Sequence, residues 1–439
     1  MFAYYFNLAL RSFRRNKALT ALMVLAIALG IGASMTTLTV FHVLSGDPIP
    51  AKSSVLFYPQ MEPRDIKGFT PNEEPETQLT RYDAETLLRE KRGDRQALMT
   101  SGSVGIDPQR PGLDPLRADA RYTSSDFFPM FDSPFQYGSG WSRAQDEKRE
   151  RVAVIAKSLN EKLYGGANSV GKTLHMNQHD FRIVGVLENW QPSPRFYDMN
   201  SHRFGESDQV FLPFTVSRDL DMDRGGSMDC WDAPKDAIED PEGETGVHAS
   251  CVWLQYWVEL DSPAKVAAYQ QYLSNYSQQQ HASGRFQRPN NVRLSSVMQW
   301  LDINKVVPGD VRLQVWLALG FLLVCLLNTV GLLLAKFLRR SSEIGVRRAL
   351  GASRRAIFLQ CLVEAGTVGL AGGVLGLGLA LVGLWAVRQQ PAGYAALAHL
   401  DPMMLLTTFL LAILASLLAG VLPAWRACAV APAIQLKSQ

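Results

Sequence analysis

Residues 313–340 read LQVWLALGFLLVCLLNTVGLLLAKFLRR, an apolar run with no charge before Lys336, closed by Lys336, Arg339 and Arg340. At about 1.5 Å rise per residue, a helix of roughly 20 residues crosses a hydrocarbon core of about 30 Å, so this run is long enough to span a bilayer. Residues 18–43, 357–387 and 403–425 are runs of the same kind. The chain therefore reads as an integral membrane α-helical protein with four transmembrane helices and one large polar insert between the first two. The segment boundaries follow: 1–17 inside, 18–45 first span, 46–311 outer domain, 312–336 second span, 337–356 loop, 357–387 third span, 388–402 short outer loop, 403–425 fourth span and 426–439 tail.

Orientation comes from the basic residues. Arg11, Arg14, Arg15 and Lys17 precede the first span, and Lys336, Arg339, Arg340, Arg347, Arg348, Arg354 and Arg355 crowd the loop between spans two and three, which puts both segments in the cytoplasm. The tail, with Arg426 and Lys437, then lies inside as well. A cleaved signal peptide fits the N-terminus poorly, because the apolar run exceeds the 7–15 residues or so of a signal core. The formal net charge of +3 conceals a division: residues 47–310 hold 29 basic and 38 acidic residues, net −9, and the rest holds 15 against 3, net +12. Nucleic-acid binding gains no support from this pattern. Cys325 and Cys361 lie in apolar runs and Cys428 in the tail, and all three read as small buried or inert side chains. Cys230 and Cys251 share the outer domain, where a disulfide is permitted but not required.

Residues 166–173, GANSVGKT, spell the phosphate-binding loop G-x-x-x-x-G-K-[ST]. A working loop needs a strand before it and a helix opening at its Lys-Thr end. Here the order is reversed. RVAVIA (151–156) reads as a strand, SLNEKLYGG as a helix with Ser158 as N-cap, Leu159 and Leu163 on one face and Gly165-Gly166 as its stop. Thr173–Met176, a polar turn at 177–180 and the run 181–187 then read as a hairpin, which makes the outer domain α+β and the match a helix-to-strand turn with a solvated Lys172. His175 and His179 straddle that turn, so no metal is expected there, and CVWLQYWVELD (251–261) reads as a half-buried strand whose Trp253, Tyr256 and Trp257 pack the core.

The segment 338–366, LRRSSEIGVRRALGASRRAIFLQCLVEAG, predicts a short helix capped by Ser341 or Ser342, broken at Gly351, and a second helix capped by Ser353 that runs into the membrane. Its order strongly resembles the signature of MacB-type and FtsX-like permeases, the membrane subunits of ABC transporters that transmit force across the membrane. ALRSFRRNKALTALMVLAIALGIG (9–32) is similar to the family's opening segment, and YTSSDFFPMFDSPFQYGSGWS (122–142) with 151–190 is similar to the core of MacB-like periplasmic domains. The resemblance implies that the outer domain is periplasmic and that the chain sits in the bacterial inner membrane. It also implies that Glu343, Ile344, Gly345, Arg347, Arg348, Gly351, Ala352 and Ser353 form the patch that docks on an ATPase.

MacB itself carries an N-terminal ATPase domain, whereas this sequence opens on the membrane segment. The resemblance therefore implies a separate cytoplasmic ABC ATPase in two copies, with ATP-Mg bound there and no cofactor on this chain, no catalytic residue, and a second permease chain, identical or related. Export with a membrane-fusion adaptor and an outer-membrane channel is the leading expectation. Relatives of the same four-helix plan extract lipoproteins or activate cell-wall hydrolases, and a membrane-anchored periplasmic sensor is the reading from another class. In the third span Gly369 and Gly373, and Gly372 and Gly376, stand four apart, a spacing for close helix packing. Glu364, near Arg355 at the cytoplasmic end, suits ion pairing better than proton relay, and Asn328 and Gln314 could bond across a dimer interface.

Overall fold

The computed structural model describes residues 8, 13, 17–109, 112–201, 203–205, 207–232, 240–390 and 402–429. Arg11, Arg14 and Arg15, most of the short outer loop, Lys437 and the side chain of Cys428 lie outside the described residues. In chain order the helices are α1 (Lys17–Ser45), α2 (Arg81–Glu90), α3 (Phe127–Met130), α4 (Arg143–Glu147), α5 (Lys157–Tyr164), α6 (Phe214–Asp219), α7 (Pro263–Ala282), α8 (Val297–Ile303), α9 (Gly309–Arg339), α10 (Ser341–Ala349), α11 (Arg354–Arg388) and α12 (Pro402–Ala429). The strands are β1 (Leu56–Gln60), β2 (Leu79–Thr80), β3 (Arg95–Asp107), β4 (Leu116–Thr123), β5 (Phe135–Gly138), β6 (Val152–Ile155), β7 (Thr173–Met176), β8 (His179–Leu187), β9 (Val210–Pro213), β10 (Asp229–Cys230), β11 (Cys251–Glu259) and β12 (Arg293–Ser296). The chain divides into a unit of residues 1–46 with 307–439 and a unit of residues 47–306.

The outer unit is built on a mixed sheet in the order β12-β1-β11-β3-β4-β9-β6-β8-β5. β11 lies between β1 and β3, and all nine of its residues are buried. This corrects the half-buried reading: Trp253 and Tyr256 pack on one face of the sheet and Trp257 on the other, so both faces of a central strand are covered and the alternation carries no exposure signal. The second face is largely aromatic, with Phe127 edge-on to Phe131, Tyr197 and Trp190. Among these rings Arg121 is fully buried, 2.8 Å from Asp198 and 3.0 Å from Asp208. Burial alone would raise the Asp208 carboxyl, but Arg121 and Arg195 outweigh it and hold it below its ordinary value. Cys230 and Cys251, opposite each other on β10 and β11, are joined as a disulfide.

Two local readings are corrected in the same unit. Ser158 does not cap α5; Ala156, extended at the end of β6, is the cap residue and Ser158 is already inside the helix. The β7–β8 turn is Asn177-Gln178 alone, with φ of 44° and 65°. Two left-handed residues close a tight hairpin with the twist of its strands, which brings His179 and Asp180 into the ladder opposite Met176 and His175. His175 pairs with Asp180 at 2.8 Å, and among the described residues no group of three His, Cys, Asp or Glu side chains converges on a metal position.

In the other unit α1, α9, α11 and the segment Met403–Arg426 of α12 are each long and apolar enough to cross a membrane. Their contacts bury Met23, Ile27, Ile31 and Met35 of α1 against Leu322 and Leu333 of α9 and Val368 and Ala380 of α11. Large apolar side chains point away from this core, including Trp316, Leu327, Trp385 and Trp425, each more than half exposed. That is the arrangement a lipid-facing surface requires.

Candidate functional site: the loop between the second and third spans

α9 ends at Arg339 and α10 begins at Ser341 with almost no break. Neither Ser341 nor Ser342 caps α10. Arg340 stands at the cap position with no side-chain cap bond, and its carbonyl accepts the first intrahelical bond of α10, from the Ile344 amide at 3.0 Å. Gly351 ends the helix at φ 99°, a left-handed turn suited to glycine, and the Ser353 hydroxyl accepts from the Ala356 amide at 3.2 Å to open α11. Glu343 lies in the first turn of α10 and Arg347 and Arg348 in the last, each sign at the favourable end of the helix dipole.

No residue of α10 is buried. Its outward face carries Val346, 51% exposed, and just beyond its end stands Leu350, 84% exposed. An apolar side chain this open, between Arg348 and Gly351, is a feature that reading by charge and motif passed over. The signal was present as an isolated apolar pair spaced by four in a basic loop.

The opposite side of α10 is tied to the spans by ions. Lys336 of α9, fully buried, lies 2.7 Å from Glu364 of α11, itself 4% exposed. Arg340 reaches the other Glu364 oxygen at 3.3 Å and Glu343 at 3.5 Å. Glu343 in turn holds Arg347 at 2.9 Å, and Arg347 donates to Gln360 of α11 at 3.1 Å. The relay thus runs from α9 to α11 through α10. Sequence reasoning expected ion pairing for Glu364, near Arg355 at the cytoplasmic end, without naming a partner; the structure supplies Lys336 and Arg340.

The four glycines of α11 divide between two neighbours. A Cβ on Gly372 or Gly376 would lie 2.6 Å from the Ile27 Cγ2 or 3.1 Å from the Ile31 Cβ of α1; one on Gly369 or Gly373 would lie 2.0 Å from the Ser416 Oγ or 2.8 Å from the Ala412 Cβ of α12. Both pairs serve packing within one chain. Gln314 and Asn328 of α9 are exposed on the surface of the unit.

The stretch 166–173 does not form a phosphate cradle. Gly165 closes α5 in the left-handed region, the Gly171 amide is used by the Ile183 carbonyl at 2.8 Å and the Lys172 amide by Ser169 at 3.1 Å, and Thr173 opens β7. The Lys172 ammonium rests over the Tyr164 ring, 4.9 Å from its centre. Exposed substitutions of this kind usually change stability by less than about 0.5 kcal/mol. In a complex with the separate ATPase that the resemblance implies, Lys172→Ala is expected to leave ATP hydrolysis within about twofold of the parent, measured as phosphate release; a collapse with normal assembly would restore the nucleotide-binding reading.

Comparison with known proteins follows the same division of the chain. Residues 20–276 match the MacB-like periplasmic core domain and residues 315–432 the FtsX-like permease C-terminal domain. The chain belongs to the MacB/FtsX-like permease family. A macrolide export ATP-binding/permease protein MacB from Azoarcus sp. (strain BH72) is 24% identical over 98% of this chain, and the MacB protein of Chlorobium luteolum is 26% identical over 68%. The chain spans 59% and 40% of those two relatives' lengths. The solved periplasmic region of MacB from Actinobacillus actinomycetemcomitans aligns at a TM-score of 0.35 and 15% identity, covering 58% of this chain and 94% of that one. This MacB/FtsX-like permease is a multi-pass inner-membrane protein whose residues 47–306 form its periplasmic α+β domain.

Proposed function

We propose that this chain is the permease of an ABC transporter that carries ATP-driven motion across the inner membrane to its periplasmic domain. In this reading α10 docks on an ABC ATPase, two permease chains serve two ATPases, and work is done in the periplasm as export with an adaptor and an outer-membrane channel. The observation that carries the reading is the two-sidedness of α10: none of its residues is buried, Val346 and the following Leu350 face outward, yet it is bound at its base by the Lys336–Glu364–Arg340–Glu343–Arg347 relay. A push on such a helix is delivered to α9 and α11 together. The relatives named as ATP-binding/permease proteins for macrolide export support the same reading, and the four spans carry almost no polar stripe that would line a conduit.

The test is a docking variant that spares the fold. Leu350→Asp removes an exposed apolar contact and adds a charge of the sign opposite to the loop. It is expected to lower recovery of the ATPase in mild-detergent co-purification at least tenfold, on the order of 1.4 kcal/mol or more, with unchanged melting of the permease. Gly345→Asp and Arg348→Glu are expected to act in the same direction. Undiminished recovery and transport in all three would sink the assignment.

A further inference from the structure

Within the periplasmic domain a cavity of about 350 Å³ opens between the end of α2, the start of β3, the turn after β4, α4 and the first turn of α6. Its apolar wall is formed by Leu88, Leu98 and Phe214. Most charges at its mouth cancel in pairs: Glu85 with Arg81 at 2.7 Å, Asp126 with Arg143 at 3.2 Å and Glu147 with Lys91 at 3.8 Å. Three lining groups stand outside this pairing. Asp146 makes no ion pair among the described residues and accepts from neutral donors of Ser125, whose amide lies at 2.6 Å, and from the Trp141 indole at 3.0 Å. Arg89 donates to the Thr86 hydroxyl at 3.0 Å and makes no ion pair among the described residues. The Thr215 hydroxyl is buried with no hydrogen-bond partner among the described residues.

A carboxylate without an ion partner, an exposed guanidinium without one and a buried hydroxyl around one apolar wall suit a ligand with a cation at one end, an anion at the other and an apolar body between. The volume, at the small end of the roughly 300–1,000 Å³ usual for such sites, limits its size. We propose that this cavity binds a dipeptide-sized zwitterion with aliphatic side chains, its ammonium at Asp146, its carboxylate at Arg89 and its body against Leu88, Leu98 and Phe214. The Asp146 carboxylate keeps lone pairs for an ammonium after accepting two bonds, and the Thr215 hydroxyl can take a peptide group.

The site carries its own pH signature. Burial, with the nearby Asp126 adding to it, pushes Asp146 up to about 6. The charged groups around it are the Asp126–Arg143 pair, Glu147 on its own helix and Glu85, Arg89 and Lys91 on α2. An ammonium is held by the ionised carboxylate, so affinity is present above about pH 6 and falls as the pH drops through that value.

Calorimetric titration of the full chain in detergent with Leu-Leu, N-acetyl-Leu-Leu and Leu-Leu amide tests this without nucleotide or ATPase, so its outcome is independent of the transport reading. Saturable binding of Leu-Leu is expected at pH 7.5, weakened about tenfold or more by N-acetylation, by amidation and at pH 5. Asp146→Asn should abolish the preference for the free amine. Arg89→Ala, at an exposed position that leaves folding intact, should abolish the preference for the free carboxylate. No saturable binding of Leu-Leu, or binding indifferent to N-acetylation and to Arg89→Ala, overturns the proposal.

Discussion

Glu364→Leu is expected to destabilise the detergent-solubilised permease by about 3–5 kcal/mol, the cost of removing one partner from a buried ion pair. The reason lies with what is left behind. Lys336 is fully enclosed and meets Glu364 at 2.7 Å, and Arg340 leans on the same carboxylate, so the substitution strands one buried cation and loosens a second. Replacing both partners by apolar residues of similar volume leaves no stranded charge, and the Lys336→Met/Glu364→Leu double variant should recover most of the loss. Chemical unfolding of the single and double variants forms the cycle; a single variant within about 1 kcal/mol of the parent would show that the pair does not hold the helices. The double variant also separates stability from coupling. In the proposed mechanism α10 has then lost its tie to α11 through Glu364, so the protein should fold and dock its ATPase while hydrolysis no longer drives transport.

The second large effect is expected from leucine at Gly369 or Gly372. At Gly372 a new Cβ alone would stand 2.6 Å from Ile27 of α1, and at Gly369 it would stand 2.3 Å from the Ser416 Cβ and 3.1 Å from the Ala412 carbonyl of α12. Neither neighbour can yield without moving its helix, and overpacking a filled interface costs about 1–3 kcal/mol, more when backbone must shift. Each variant should therefore lose at least that much, or fail to fold. Gly378 is the internal control, since no described atom lies within 4 Å of its added Cβ. Gly378→Leu exchanges a poor helix former for a good one on an open face and should be neutral or slightly stabilising. Equal sensitivity at Gly378, measured by melting and by yield of folded protein, would refute the packing account.

Much of this fold was legible because membrane spans, helix stops and hydroxyl caps are local signals. The four apolar runs, the stop at Gly165, the break at Gly351 and the cap by Ser353 each depend on residues within a few positions. The partners of Glu364 were not legible for the converse reason. Lys336 is on another helix, and its reach to Glu364 is set by how α9 and α11 each pack against α1, not by spacing along the chain. The same holds for β11, whose double-sided burial follows from its place in the sheet, and for the open Leu350, whose importance lies in what does not cover it.

The Lys336–Glu364 pair also bears on how the protein enters the bilayer. A single charge carried toward the middle of an inserting helix costs up to about 3 kcal/mol, less near the surface. Lys336 emerges from the ribosome before Glu364, and only the short α10 segment separates the helices that bear them. If α9 waits at the translocation machinery until α11 arrives, the two side chains neutralise each other before either meets lipid. The fourth span then closes on the face of α11 that Gly369 and Gly373 leave open.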